Sequence, residues 1–423
     1  MSYDAMSSTI CLFEDPYYTN LLPLVHTRPV YDLRCGILTL REKIRRAYPK
    51  ARMALLCRPY LADVVRQQNP GTHVNEVHAE SCLFVNGRIL ADAALAKKIP
   101  LKGEGAVFHC GDTVVAIRVP APHAGALRHD FSEISLAEHF SELKRIAVDV
   151  TLIGFPWHLI SHNGAEIRSD FSLLTSTQRS NTRRTRPTIY KGAHLLNNKE
   201  IHVGAGASIM PGVVLDAQNG PIYVGEHTKI FPNAVVEGPA FIGDRTLIKV
   251  GAKIYENTSI GEVCKVGGEV EASIIHSHSN KQHDGFLGHS YLGMWCNLGA
   301  DTNNSDLKNN YGTVRVVVNG VEIDSGSQFV GLTMGDHSKS GINTMFNTGT
   351  VVGVSSNVFG AGFPPKFIPS FSWGGSDGLE QYDIEKALDV ARRVMTRRNV
   401  VLSTADEQML RHVFDVTARE RKQ

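Results

Sequence analysis

Apolar residues recur at every sixth position through the middle of the chain: Val203, Ile209 and Leu215, then, after a three-residue insertion, Val224, Ile230, Val236, Ile242, Ile248, Ile254, Ile260 and Val266. Neither a helix, with its 3.6-residue period, nor an alternating strand repeats in sixes. Six residues fit a coil with flat faces made of short strands. Each strand sends one aliphatic side chain inward, and small residues such as Gly204, Gly225, Gly243 and Gly261 stand at the corners. The pattern predicts a left-handed parallel β-helix of hexapeptide repeats over Val203 to Gly362. Register returns at Met334, Ser340, Phe346, Val352 and Val358, with the polar Ser340 the one poor fit. Between the two runs lies an irregular stretch rich in His, Asn and Asp, and an interrupted solenoid points to function at the interruption.

Elsewhere the pattern changes. The first 120 residues alternate short apolar strands (Thr9–Phe13, Met53–Leu56, Cys82–Val85, Ala106–Cys110, Val114–Val119) with helical stretches at Ile37–Ala47 and Leu61–Gln67, which predicts an α/β sheet with a hairpin at Gly111-Asp112. From Ser135 to Leu174 the spacing is helical, with breakers at Gly154 and Pro156, and the polar, basic Ser176–Pro187 reads as a solvated junction loop. Helical spacing returns over Leu379–Arg398, and Ser403 with Asp406 and Glu407 opens a second helix in capping-box fashion. The expected organisation is an α/β domain over 1–134, a helical connector and linker over 135–190, the β-helix over 191–372, and a helical cap on the open end of the coil over 373–423.

Composition narrows the function classes. A chain of 423 residues, 42% apolar, buries a sizeable core, and 44 Lys plus Arg against 42 Asp plus Glu leave no overall field to hold nucleic acid or an anionic membrane. The 7 cysteines are scattered and never spaced as CxxC, which reads as reduced core thiols rather than a disulfide framework or a zinc ribbon. No apolar run approaches the roughly 18 residues of a membrane span, and the N-terminus lacks the pattern of a signal peptide. A cytoplasmic protein is expected.

The interruption reads Ser279-Asn-Lys-Gln-His283-Asp-Gly-Phe286-Leu-Gly288-His-Ser-Tyr-Leu-Gly293-Met-Trp-Cys-Asn297-Leu-Gly-Ala300, ending in Asp306-Leu-Lys308. Its histidines, with His276 and His278 just upstream, invite a metal reading, but no carboxylate or thiol falls at a recognised ligand spacing, and no metal is expected. The stretch resembles the acetyltransferase domain of the bifunctional UDP-N-acetylglucosamine pyrophosphorylase/glucosamine-1-phosphate N-acetyltransferase family, whose pattern is H-x-x-Y-[LV]-G, eight residues, then N-[IL]-G-A-G-T. The resemblance puts His283 on the general base, Phe286 on the sugar-contacting Tyr, Asn297 on the motif Asn, and Ala300 on a backbone contact to acetyl-CoA. His289 does not keep the spacing to Asn297. Asp306 and Lys308 sit where related archaeal enzymes show Asn-Leu-Arg, and Lys308, with Lys281 as a second candidate, would meet a sugar phosphate. The family's phosphate-binding Arg and Lys fall on Tyr255 and Ser273, so the acceptor is a sugar phosphate or an unphosphorylated or nucleotide-linked amino sugar.

In the N-terminal part, Leu22-Pro-Leu-Val-His-Thr-Arg28-Pro29 resembles the PLTxTRPKPL stretch of sugar-1-phosphate nucleotidyltransferases, in a divergent branch found in Bacteroidetes-type bacteria. The glycine-rich phosphate loop of such enzymes is replaced here by Phe13-Glu-Asp-Pro-Tyr-Tyr-Thr-Asn20, and Asn86-Gly-Arg88 stands where relatives place a metal-binding Asp. Arg28, Asp32, Arg34 and Lys43 are the candidate contacts to a nucleotide (UTP or dTTP, with Mg²⁺) and a sugar phosphate. Salt links at a strand-to-helix turn are the alternative reading of the same four.

The resemblance thus implies a nucleotidyltransferase coupled to an acetyl-CoA-dependent N-acetyltransferase, making a nucleotide sugar for the cell envelope, as a homotrimer with the acyl site between subunits. Two alternatives stand beside it: an acetyltransferase with a degenerate N-terminal domain, and a non-catalytic β-helix scaffold.

Overall fold

The structure, a computed structural model, describes residues 8–77, 81–119, 140, 142–176 and 185–422. The N-terminal part builds a seven-stranded sheet around Thr9–Phe13, which pairs in parallel with Arg52–Leu55 on one side and Cys82–Asn86 on the other. Thr113–Val119 and Ala106–Cys110 extend it as the antiparallel hairpin expected at Gly111-Asp112. The helices Leu40–Ala47 and Ala62–Gln68 lie within two or three residues of their expected starts, because Thr39 and Glu42 form a capping box that fixes where the first begins.

The stretch read as a helical connector divides. Lys144–Ala147 joins the sheet edge beside Ala106–Cys110, Thr151–Leu152 pairs with Ile89–Leu90, and among the described residues of the stretch the helix is Pro156–Ser176. Pro156 opens that helix rather than breaking it, since its fixed φ and missing N–H suit a first turn. Of the basic junction loop, 177–184 lie outside the described residues.

The coil has three faces of parallel strands. The first stacks Thr188–Ile189, Ser208–Ile209, Lys229–Ile230, Leu247–Ile248, Lys265–Val266 and Asn280–Lys281; the second runs from His194–Leu196 to Phe286–Gly288; the third runs from Ile201–Val203 through Tyr291–Leu292 to Phe367–Ile368. Every six-residue anchor from Ile209 to Val266 is buried in one apolar column system, which is the left-handed β-helix the period predicts. Its rungs begin earlier than the repeat, at Thr188. Ser340 sits inward like its aliphatic equivalents and is satisfied there by Thr302 Oγ1 at 2.8 Å and the Gly299 N–H at 3.1 Å.

One feature differs from expectation. A hairpin, Arg315–Val318 with Val321–Asp324, leaves the coil after Asp306 and buries Val314, Val316 and Val318 against Trp157 of the long helix. Its Asn319-Gly320 tip, both residues at positive φ, is a readable two-residue turn. The C-terminal helices, Ile384–Thr396 and Thr404–Val416, reach the last edge of the coil, where Phe414 meets Phe371 at 5.2 Å. That edge is closed by the antiparallel pair Ser372–Gly375 and Gly378–Gln381, while the helices also pack into the core of the N-terminal sheet, with His412 stacked on Tyr60 at 4.2 Å.

Buried polar bonds fasten the N-terminal domain to the coil. Asn163 of the long helix accepts from the Gly36 N–H at 2.7 Å and donates to the Asn257 carbonyl at 2.7 Å. Asp170 accepts from the N–H groups of Ile37 and Leu38 and from Lys43 Nζ at 2.6 Å. Gly36, at φ +82°, passes so close that a Cβ there would lie 2.6 Å from Asp170 Oδ2. Removing a carboxylate that carries a buried ammonium and two buried N–H groups is costly. Asp170→Ala is expected to lose about 3 kcal/mol or more in urea unfolding, and a loss under about 1 kcal/mol would refute this role.

Candidate functional site

The interrupted repeat places its histidines on three different corners of the coil. His276 and His278 follow the third face before Asn280–Lys281, His283 lies between the first and second faces, and His289 lies between the second and third. The sequence neighbours His283 and His289 are thus separated by a whole face.

At the first corner, the His283 side chain is exposed while its carbonyl accepts from Lys281 Nζ at 2.7 Å. Phe286, half-buried, donates its N–H to Asn303 Oδ1 at 2.7 Å. One turn up, the Asp301 N–H donates to the Asp284 carbonyl at 3.1 Å, so Ala300 stands directly above the His283 turn. Asn297 is on the adjoining first face, bridged to Asn280 below and Lys339 above. His283, Phe286, Asn297 and Ala300 therefore gather around one corner.

Lys281 differs from its expected role. It pairs in register with Val266, so it occupies an inward column of the coil and is 2% exposed. Its ammonium faces the turn from inside and pins the His283 main chain; it is not presented to an acceptor. Burial lowers it to about 8, against the opposing pull of Asp284 and Asp301. Gly268, at φ +66°, makes the room: a Cβ there would sit 2.7 Å from both Lys281 Nζ and the His283 carbonyl oxygen.

Asp306 and Lys308 are also engaged within the fold. Asp306 Oδ2 meets His289 Nδ1 at 2.8 Å, with His289 stacked on Phe329 at 4.9 Å and Glu271 nearby, its carboxyl raised by burial. Lys308 Nζ donates to the Thr313 carbonyl at 2.5 Å, at the root of the hairpin. Sequence reasoning missed the His289–Asp306 pair; the signal that could have found it is their separation of 17 residues, one rung of the coil, the same that stacks Asn297 on Asn280.

The N-terminal candidates follow the alternative reading. Arg28 pairs with Asp336 of the coil, which also accepts from Thr27 at 2.8 Å. Arg34 pairs with Glu262 at 2.7 Å, and Lys43 with Glu166 and Asp170, each at 2.6 Å. Asp32 lies 2.8 Å from Arg41 Nε and is pushed up to about 6 by burial. All four are 9% exposed or less, because the turn that carries them is sandwiched between the sheet, the long helix and the coil. In the loop that replaces the glycine-rich one, Glu14 is taken by Arg58 at 3.1 Å, and Asp15 by Arg88 at 2.5 Å and the Asn86 amide at 2.8 Å. With both carboxylates neutralised by guanidinium groups, this donor set does not fit Mg²⁺.

Residues 10–179 match the family model described as "Sugar nucleotidyl transferase". Three relatives each resemble part of the chain. One is the "Bifunctional protein GlmU" of Methanococcus aeolicus, 31% identical over 37% of this chain and 39% of its own. Another is the "Bifunctional protein GlmU" of Acidithiobacillus ferrooxidans, 34% identical over 34% of this chain and 31% of its own. Over about a third of its length the chain resembles these GlmU proteins. A third relative, the "Bifunctional sugar-1-phosphate nucleotidylyltransferase/acetyltransferase" of Sulfurisphaera tokodaii, is 31% identical over 24% of this chain and 26% of its own. The chain thus spans well under half the length of each. The solved structure of the polySia specific acetyltransferase NeuO aligns with 49% of this chain and 97% of its own, at 11% identity and a TM-score of 0.27. Among the described residues no helix is long and apolar enough to cross a membrane.

The buried amine of Lys281 gives the protein a pH signature. Its folded value, about 8, lies below the ordinary 10.5, so between those limits the unfolded chain binds the proton more tightly and stability rises with pH. Lys281→Met removes that gain. Urea midpoints at pH 7.5, 9 and 10 are expected to climb more steeply for wild type than for the variant, by at most about 1.4 kcal/mol per pH unit. Parallel curves would refute the placement.

Proposed function

We propose that the coil carries acetyl transfer from acetyl-CoA to an amino sugar, with His283 as general base, and that the N-terminal domain serves the same product as a sugar-1-phosphate nucleotidyltransferase. One observation carries the acyl reading: an exposed imidazole, its main chain pinned from inside, stands at a corner shared with Phe286 and Ala300 and next to Asn297. Imidazole titrates near neutral pH and suits removal of a proton from the attacking nitrogen. As the nitrogen–carbon bond forms, the proton goes to His283; as the carbon–sulfur bond breaks, the protonated imidazole returns it to the leaving thiolate, which departs as CoA thiol. Asn297 and the backbone at Ala300 supply donors for the thioester oxygen. Phe286 offers an apolar face to the sugar. The active form is a trimer, with this corner completed by a neighbouring copy.

A second reading is favoured by a specific observation: the loop in the place of the phosphate cradle is closed by Glu14–Arg58 and Asp15–Arg88, and Arg28, Arg34 and Lys43 are consumed by pairs to the long helix and the coil. On that reading the N-terminal domain binds or organises and does not transfer nucleotide.

In an assay of CoA thiol release with glucosamine and its 1-phosphate, His283→Ala is expected to fall about 10²-fold or more with an unchanged melting temperature, since the side chain is exposed. Wild-type turnover in the variant would remove His283 from the mechanism. Pyrophosphate release from UTP or dTTP with a sugar-1-phosphate is the expected result for the bifunctional enzyme; none with any pair leaves the second reading. Sedimentation as a monomer would count against the shared corner.

A further inference from the structure

On the side of the coil away from His283, a cavity of about 380 Å³ lies where the N-terminal domain, the coil and the C-terminal helices meet. That volume is within the ordinary range for small-molecule sites. Its helix side is apolar, with Met395, Leu402, Met409 and Leu410; its coil side presents His276, His278, Trp295 and His337.

Three properties of the coil side point to a ligand. First, the side chains form a ladder. The corner between the third and first faces is occupied at successive levels by non-glycine residues in the left-handed region, among them His227, Arg245, Val263 and Ser355. At the level of the cavity the ladder becomes His278, Trp295 and His337, with Trp295 at φ +63° and its ring 4.3 Å from that of His278. The conformation is the same at these levels; what changes at the cavity is the side chains, which become a run of aromatic rings. Second, two of these side chains are unfinished. His276 and His337 are 9% and 7% exposed, His276 bonds the Asp32 carbonyl through Nε2 at 3.1 Å, and the Nδ1 atom of each has no partner. Buried polar atoms are nearly always satisfied. Third, the fixed charges in the wall cancel in pairs, Arg28 with Asp336 and Arg41 with Asp32, while Asp406 is held by the Ser403 cap. Burial keeps the histidines neutral, His278 at about 4 and His337 at about 3, so each offers one donor and one acceptor.

We propose that this junction cavity is a binding site for an uncharged heteroaromatic molecule of nucleoside size, its ring against Trp295 and its polar edge on His276 and His337. An anion finds no unpaired cation there, and an aliphatic molecule leaves the imidazole nitrogens bare. Because three parts of the chain form the walls, the occupant ties them together and raises the stability of the whole.

The test uses the full-length protein and three probes, uridine, thymidine and adenosine, by calorimetry and tryptophan fluorescence at 50 and 500 mM NaCl. At least one is expected to bind with an affinity unchanged by salt, to quench Trp295, and to raise the melting temperature. Trp295→Leu and, independently, Met409→Trp, which fills the cavity from the helix side and keeps Trp295, are each expected to weaken that binding at least tenfold while retaining cooperative unfolding. If one variant fails to fold, the other decides. No binding of any probe at millimolar concentration, binding that both folded variants retain, or binding that weakens with salt as for an anion would overturn the proposal.

Discussion

The architecture depends on the burial of positive charge at one turn of the N-terminal domain. Arg28, Arg34 and Lys43 lie in a stretch with almost no solvent access, and each is neutralised by a carboxylate from elsewhere: Asp336 and Glu262 on the coil, Glu166 and Asp170 on the long helix. A guanidinium or ammonium removed from water without such a partner costs several kcal/mol. The turn can therefore be buried only when helix and coil are in place, and the sheet, the helix and the coil make one cooperative unit rather than beads on a string.

The same economy of polar groups shapes the coil. A solenoid interior admits one side chain per face per rung, so a polar residue there needs a partner inside the coil. Ser340 finds Thr302, and Lys281 finds the carbonyl of His283. The second case joins core to surface: an inward lysine holds the main chain of the turn that displays an outward imidazole. Rigidity at the candidate acyl corner thus originates in the core of the coil, beneath Gly268, and not in contacts among the exposed groups.

What could be read in the sequence follows from what repeats. The sixfold period marks the coil because every rung meets the same neighbours above and below, and the N-terminal strands were legible because each is a short apolar run between turns. The grouping of His283, Phe286, Asn297 and Ala300 follows from motif spacing once the coil is known. The partners of the charged residues in the N-terminal turn were not legible: Arg28 and Asp336 are 308 positions apart. Lys281 looked like a surface cation because its column is apolar everywhere below it. The hairpin at Asn319-Gly320 had a readable turn, overlooked against the irregular stretch around it.

The salt link between Arg28 and Asp336 also bears on how such a protein can be recombined. Coils and α/β sheets are natural units for exchange between relatives, and a break between the long helix and the coil leaves both halves intact in sequence. Here the carboxylates that neutralise the N-terminal turn belong to the coil, at Glu262 and Asp336. A chimera that takes its coil from a chain without acids at those two levels inherits a pair of bare guanidinium groups in its interior. The two acidic positions, rather than the linker, set which coils this N-terminal domain accepts.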